Sequence, residues 1–300
     1  MWAPRFMCPD CRRPMAEDET EVGACDVCGR RFDRRDGIYR FLGPQSETKG
    51  RFTEQYRAVR ARDGYLGHSS EYYRRLPVVP KGDPRASEWR IRRESYAAFE
   101  RYALPAIWRG PARVADLGAG SGWLSHRLSA LGHELVAVDR LDDDDDGLGA
   151  CRHYAAEFVS VQADLDALPF AAAEFDVVVM NGSLHYSPDP DATLAEARRV
   201  LAPGGSLVVM DSPMFVHPRD GEAMVETQLR SFAHDYGLSD VVRPGAGFLT
   251  FDGVRRASAA LGLRGRFFPS RGPLGWSVRR HIGGWRLRRA PAAFGVWVAQ

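Results

Sequence analysis

Val114-Ala115-Asp116-Leu117-Gly118-Ala119-Gly120-Ser121-Gly122 decides how the rest of this 300-residue chain is read. An apolar run that alternates into an acid and then a G-x-G-x-G turn marks the end of a buried parallel strand, a tight loop, and a helix entered at Ser121. Three glycines at alternate positions let backbone approach a ligand where any Cβ would intrude. The free N–H groups at the helix start favour an electron-rich partner. A small-molecule site is the expected use.

The dinucleotide fingerprint places a Gly or Ala where helix and strand pack closest, and Trp123 stands there instead. With Asp116 two residues ahead of Gly118, the spacing argues for a nucleoside ligand without a pyrophosphate. Downstream, Glu134 to Asp139 reads as a second strand ending in a carboxylate 21 positions after Gly118, placed to hold two ribose hydroxyls. Phe158 to Leu165 is a third run ending in an acid, Asp164, and Phe175 to Asn181 is a fourth. A helix over 190–201, the turn Ala202-Pro203-Gly204-Gly205 and a fifth strand from Ser206 to Asp211 follow.

Taken together, DLGAGSG, VAVD, ADLDALPF, FDVVVMN and ARRVLAPGGSLVVMD occur in the order seen in class I S-adenosylmethionine-dependent methyltransferases. Over roughly residues 85–215 the chain resembles that family, of the methyltransferase type 11 kind. The resemblance implies an α/β fold with a Rossmann-like seven-stranded sheet and helices on both faces. It also implies S-adenosylmethionine as cofactor: Asp116, Gly118, Ala119, Gly120 and Gly122 around the methionine part, Asp139 with neighbouring Arg140 at the ribose, Asp164 and the Leu165 amide at the adenine, and Asn181 at the tip of the fourth strand.

Four of the five cysteines form two C-x-x-C knuckles, Cys8/Cys11 and Cys25/Cys28. Four thiolates at this spacing suit a tetrahedral zinc with bonds of about 2.3 Å. No fifth ligand lies nearby, so the metal reads as closed and structural. Rubredoxin-type iron or two disulfides would satisfy the same spacing. Residues 1–43 are too few to fold on an apolar core alone, so metal binding would contribute most of their folding free energy. The segment Cys28 to Leu42 resembles the ribbon of the small zinc-binding activator of tRNA, rRNA and release-factor methyltransferases, and ribbons fused to rRNA methyltransferases. The fifth cysteine, Cys151, reads as a small core residue on a helix.

These signals divide the chain into a ribbon (1–43), a linker with N-terminal lid helices (44–110) and a methyltransferase domain (111–300) with an Arg-rich insertion at about 270–291. Within 44–110, Tyr56, Arg60, Tyr65, Trp89 and Arg93 are lid candidates, the alternative being that the aromatics pack helices onto the sheet. The five acids Asp142 to Asp146 repel one another and are expected to be solvated.

Three residues are candidates for catalysis. His185, in Asn181-Gly-Ser-Leu-His-Tyr186 beyond the fourth strand, has an ordinary pKa of about 6.5 and could accept a proton, or could pack the cofactor instead. Asp211 and His217 follow the fifth strand. A helix over 221–236 would close above them, and another starting near Asp252 would be capped by it. Residues 264–268 and 294–299 read as strands, which the resemblance implies form the antiparallel hairpin that ends the sheet.

From Gly253 to Gln300 there are ten arginines and no acid, with Trp276 and Trp285 interleaved. The Arg264 to Arg289 region could track RNA phosphates, rest on an anionic membrane surface, hold an acidic substrate or pair with the acidic run. Three functions follow: a methyltransferase acting on a small-molecule or lipid-like acceptor, an rRNA or tRNA methyltransferase gripping RNA through ribbon and insertion, or a non-catalytic methyltransferase fold used as a binding module. Net charge of +2 favours none of them. No apolar run approaches the roughly 20 residues of a membrane span, and the start lacks a signal-peptide core, so a cytoplasmic protein is expected. Oligomeric state has no signature in the sequence.

Overall fold

The computed structural model describes residues 2–15, 23–43, 47–108, 110–155, 158–237, 240–270 and 289–300. The apolar runs around the glycine turn become β3 (Arg113–Leu117), β4 (Glu134–Asp139), β5 (Val159–Gln162), β6 (Phe175–Asn181) and β7 (Leu201–Met210), following the short ribbon strands β1 (Asp33–Arg35) and β2 (Ile38–Arg40). In β6, Val177 to Met180 are all buried, as a strand covered by helices on both faces requires. With β10 (Gly265–Pro269) and β11 (Gly295–Ala299) the sheet runs β1-β2-β5-β4-β3-β6-β7-β11-β10. Strands β5, β4, β3, β6 and β7 are parallel, and β11 and β10 add antiparallel.

The chain leaves β3 toward β4 on one side and reaches β6 on the other. Between β3 and β6 the order reverses, and the crevice beyond their carboxyl ends is where open α/β sheets take ligands. The fifth methyltransferase strand starts earlier than expected. Leu201 pairs with Phe175, the Ala202 to Gly205 turn bulges out, and pairing resumes at Ser206 with Val177.

Helices close both faces. The N-terminal layer is α1 (Glu47–Arg62), α2 (Ser70–Arg75) and α3 (Ala86–Ala98), the last running through a π-helical turn, 99–103, into α4 (Leu104–Ile107). The glycine turn opens α5 (Trp123–Ser129). In α6 (Pro190–Val200), Asp189 accepts from the Asp191 and Ala192 amides, and Leu194, Ala197 and Val200 recur at three-residue spacing against the sheet. Beyond it lie α7 (Pro218–Tyr236) and α8 (Phe251–Ala260), flanked by the short parallel pair β8 (Met214–Phe215) and β9 (Leu249–Thr250). Thr250, not Asp252, caps α8, its hydroxyl accepting from the Gly253 amide at 3.0 Å. Asp252, two residues beyond the cap, pairs instead with Arg255 and Arg256.

Among the described residues nine strands, not seven, make the sheet, because the ribbon adds two to it. Strand β2 pairs in parallel with β5, giving hydrogen-bond partners to what would otherwise be an open edge. Side chains reinforce the contact. Arg5 donates to Glu174 at 2.8 Å and Arg12 to Glu196 at 2.6 Å, both acids being buried in the larger body. Although burial works against it, hydrogen bonds from Arg199 and Arg12 hold the Glu196 carboxyl below the usual range. Phe6 stacks among Tyr39, Phe41 and Phe170, and Trp2 meets Phe175 edge-on at 5.7 Å. Cys8, Cys25, Phe32 and Phe41 thus share one core with Val161 and Phe170.

Most of the Arg-rich insertion, 271–288, with Trp276 and Trp285, lies outside the described residues. Among the described residues no helix is long and apolar enough to cross a membrane.

Candidate cofactor cleft and zinc ribbon

At the end of β3 the backbone turns left-handed at Gly118 (φ 80°), and its N–H donates to Val138 O at 2.7 Å. A Cβ here would run into the Ser183 side chain, whose hydroxyl donates to Leu117 O, so the first glycine is required by both dihedral and contact. Gly120 N–H donates to Asp139 Oδ2 at 2.7 Å, tying the turn to the tip of β4, and Leu141 N–H donates to Asp139 Oδ1 at 2.9 Å. Burial nevertheless pushes the Asp139 carboxyl up to about 6. Asp116 is fully buried behind the turn, takes the Ser125 hydroxyl at 2.8 Å, and is pushed up by burial to about 7. Its Oδ1 is buried with no protein partner among the described residues, as is that of Asn181.

The cleft above is a cavity of about 180 Å³. Of the residues expected at the cofactor, Gly118, Ala119, Gly120, Asp139, Arg140, Leu165 and Asn181 line it; Asp116, Gly122 and Asp164 do not. Gly122 caps the start of α5, and Asp164 is engaged by Arg140 as an ion pair. Asn181 keeps a buried Oδ1 with no protein partner. Bare backbone, a carboxylate and an unpaired carbonyl oxygen around one cavity fit a nucleoside carrying an amino-acid tail.

The opposite wall comes from the N-terminal helices. Phe52, Thr53, Tyr56 and Arg60 of α1, and Trp89 and Arg92 of α3, face the glycine turn. Three of the five lid candidates, Tyr56, Arg60 and Trp89, are therefore at the cleft. Arg93 points away to Glu94, and Arg92, one position earlier, takes its place over the Trp89 ring at 4.5 Å. Phe52, Ser183 and Tyr186 were not foreseen, since nothing local in the sequence separates them from packing residues.

The acidic run is not solvated as expected. Arg60 engages Asp146 through two guanidinium nitrogens, with 13% and 11% of the two side chains exposed. Arg57 reaches Asp142 and Asp143, Arg40 of the ribbon reaches Asp142, and Arg152 reaches Asp144. Arg57 and Arg60, at i and i+3 on α1, thus tie that helix to Asp142, Asp143 and Asp146, and only Asp144, 75% exposed, faces water as expected.

Among the catalytic candidates, His185 lies behind the cleft wall. Its Nδ1 is 3.1 Å from Ser212 Oγ, and burial, with the Arg243 and Arg92 charges, pushes its pKa down to about 3. Such a ring stays neutral and binds a proton poorly, so it does not have the basicity expected from an ordinary histidine. Asp211 sits under Gly182 in a left-handed conformation (φ 53°), accepts from Ser95 Oγ at 3.1 Å, and is pushed up by burial to about 6. Arg92 Nε lies 3.7 Å from it. His217 is exposed at the start of α7, away from the cleft lining.

In the ribbon, each knuckle repeats one turn: Cys8 N–H donates to Arg13 O and Arg12 N–H to Cys8 O, while Cys25 N–H donates to Arg30 O and Gly29 N–H to Cys25 O. The fifth position of each, Arg12 and Gly29, is left-handed. The four Sγ atoms all lie within 4.8 Å of one another, which fits the corners of a tetrahedral zinc–thiolate site. Cys151 departs from expectation: it is half-exposed on a 3-10 turn.

An open sheet whose order reverses beside a glycine turn, with an acid at the tip of the next strand, is the arrangement of class I S-adenosylmethionine-dependent methyltransferases. Residues 115–209 match the family model described as "Methyltransferase domain". It is 40% identical over 100 residues to a malonyl-[acyl-carrier protein] O-methyltransferase of Hahella chejuensis, covering 33% of this chain and 36% of that one. It is 31% identical over 167 residues to a fatty-acid O-methyltransferase of Mycolicibacterium smegmatis, covering 55% and 60%. The match thus spans between about a third and three fifths of these relatives. A complex of the Haloferax volcanii Trm112 methyltransferase activator with a methyltransferase described as putative superposes with a TM-score of 0.49 at 17% identity, over 86% of this chain and 97% of that one.

Proposed function

We propose that the protein transfers a methyl group from S-adenosylmethionine to a small-molecule or lipid-like acceptor, with the zinc ribbon in a structural role. The observation that carries this is the continuity of the cleft: the Gly118 to Ser121 backbone, Asp139 and Asn181 on one side face Tyr56, Arg92 and Tyr186 on the other across a single cavity. Bound there, S-adenosylmethionine would supply an electrophilic methyl on a sulfonium. Asp139 would hold the ribose hydroxyls, the glycine turn and Asn181 Oδ1 the amino-acid tail, and Leu165 the adenine face. The aromatic and arginine wall would then orient the acceptor, and alignment supplies much of the rate in such a displacement.

No free base lines the cleft among the described residues. Asp139 is held by two amides, Asp146 by Arg60, and His185 stands behind the wall with a depressed pKa. An acceptor that arrives already nucleophilic, as a carboxylate does at neutral pH, suits this lining. The relatives named for O-methylation of malonyl-[acyl-carrier protein] and of fatty acid support an acceptor of this general kind.

Methyl-tritiated S-adenosylmethionine, incubated with the protein and an extract separated into RNA, protein, lipid and small molecules, tests the assignment. Label is expected in the lipid or small-molecule fraction. Label confined to RNA would replace the acceptor class, and failure of calorimetry to detect S-adenosylmethionine binding would remove the activity.

A further inference from the structure

Behind the aromatic wall of the cleft lies a second, larger chamber of about 470 Å³, enclosed by α1, α7 and the segment 241–243. Phe52, Tyr56, Arg60 and Tyr186 line both cavities. The three rings form one cluster, with centroids 5.8, 6.1 and 6.2 Å apart. The cleft and the chamber are therefore neighbours that share this aromatic cluster as a common wall.

The chamber's cations are not equivalent. Arg60 is engaged by Asp146, and Arg85 by Asp63 and Glu88. Arg243 meets no carboxylate among the described residues: both terminal nitrogens reach only Gln228 Oε1, at 3.4 and 3.3 Å. It is half-buried, and burial pushes its pKa down from the usual value. A partly desolvated cation with one neutral, long hydrogen bond is incompletely paired.

Nor is Arg243 a mobile surface chain. Its guanidinium packs over Gly247, where a Cβ would collide with it, and Gly247 N–H donates to His185 O at 3.0 Å. The side chain is thereby held in the chamber lining, beside the turn that carries Tyr186.

We propose that the chamber takes the body of the acceptor and that Arg243 holds an anionic group of it remote from the atom that is methylated. The ligand class is an organic anion with an aromatic or apolar body, its charge a handle for binding rather than the nucleophile. Gln228 orients the guanidinium, and Phe232 and Tyr236 of α7 flank the body. This deepens the methyl-transfer reading of the cleft, which it requires for its catalytic meaning.

The test uses the full-length protein and two probes of equal shape, 2-naphthoate and the uncharged 2-naphthamide, titrated by calorimetry with S-adenosylhomocysteine present. At least tenfold tighter binding of the naphthoate is expected. Arg243→Gln should bring the naphthoate down to the naphthamide's affinity, while Arg243→Lys retains part of the preference. Gln228→Glu, which supplies the missing carboxylate from within, should abolish the preference even if Arg243→Gln folds poorly. Equal binding of the probes, no binding of either, or a preference that survives in Arg243→Gln or Gln228→Glu would overturn the proposal. S-adenosylmethionine affinity, measured on the same samples, separates the two readings. Loss of probe discrimination with cofactor binding intact removes the anion chamber alone, whereas discrimination without cofactor binding removes methyl transfer alone.

Discussion

Arg60 of α1 grips the carboxylate of Asp146, the last acid of the run that follows β4, and thereby fastens α1 across the candidate cofactor cleft. The same guanidinium lies over the Tyr65 ring at 3.2 Å. Both ionic partners are nearly buried, so removing one leaves an uncompensated charge out of water. Arg60→Met should lower stability in urea unfolding by about 3 kcal/mol, and adding Asp146→Asn should restore part of it. S-adenosylmethionine affinity should fall in the single variant, because the wall opposite the glycine turn is then untied.

Asp139 joins the glycine turn to the second strand. Asp139→Ala removes the acceptor of the Gly120 amide as well as the candidate ribose ligand, and calorimetry should show S-adenosylmethionine binding weakened by about ten- to a hundredfold. The pH dependence has a definite sign. Burial raises this carboxyl to about 6, so it is ionised above that pH and protonated below. The ionised form accepts hydroxyl hydrogen bonds more strongly, so cofactor affinity should drop as pH falls through 6. Asp139→Asn should flatten that dependence.

Gly118→Ala combines a positive φ with a collision against Ser183. The left-handed backbone alone costs about 1–2 kcal/mol for a residue with a Cβ. A lower melting temperature and loss of cofactor binding are expected. Ser183→Gly in the same chain should recover only part, since it removes the clash and leaves the dihedral.

Zinc removal should reach beyond the ribbon. Strand β2 covers the edge of β5, and Phe6, Phe41 and Cys8 share a core with Phe170. Elemental analysis should find one zinc per chain. Chelation, or Cys8→Ser, should lower the melting temperature of the whole protein in one cooperative transition. A ribbon that melted separately, leaving the main transition in place, would contradict the shared core.

Much of this was written in local sequence. Gly118, Gly120 and Asp139 were readable because a left-handed turn and a strand-end acid impose residue types at fixed spacing. The succession of the five parallel strands followed from apolar runs alternating with helices, the seven-stranded sheet from the family resemblance, and the knuckles from C-x-x-C spacing. His185 shows the limit: the residue type suggested a base, whereas burial and two flanking arginines from distant segments set its protonation. The aspartate run shows the same limit, since its partners Arg40, Arg57 and Arg60 lie more than 80 positions away.

Short-range spacing alone determined the strand succession, the glycine turn with its acids, and the four-thiolate cluster, because backbone sterics and ligand geometry act within a few residues. Only the folded chain decided that the ribbon would extend the sheet, that α1 would be tied down by arginines, and that Arg243 would meet no carboxylate among the described residues beside a second chamber. Those outcomes depend on which distant groups exclude water from one another, and that is a property of the packed chain as a whole.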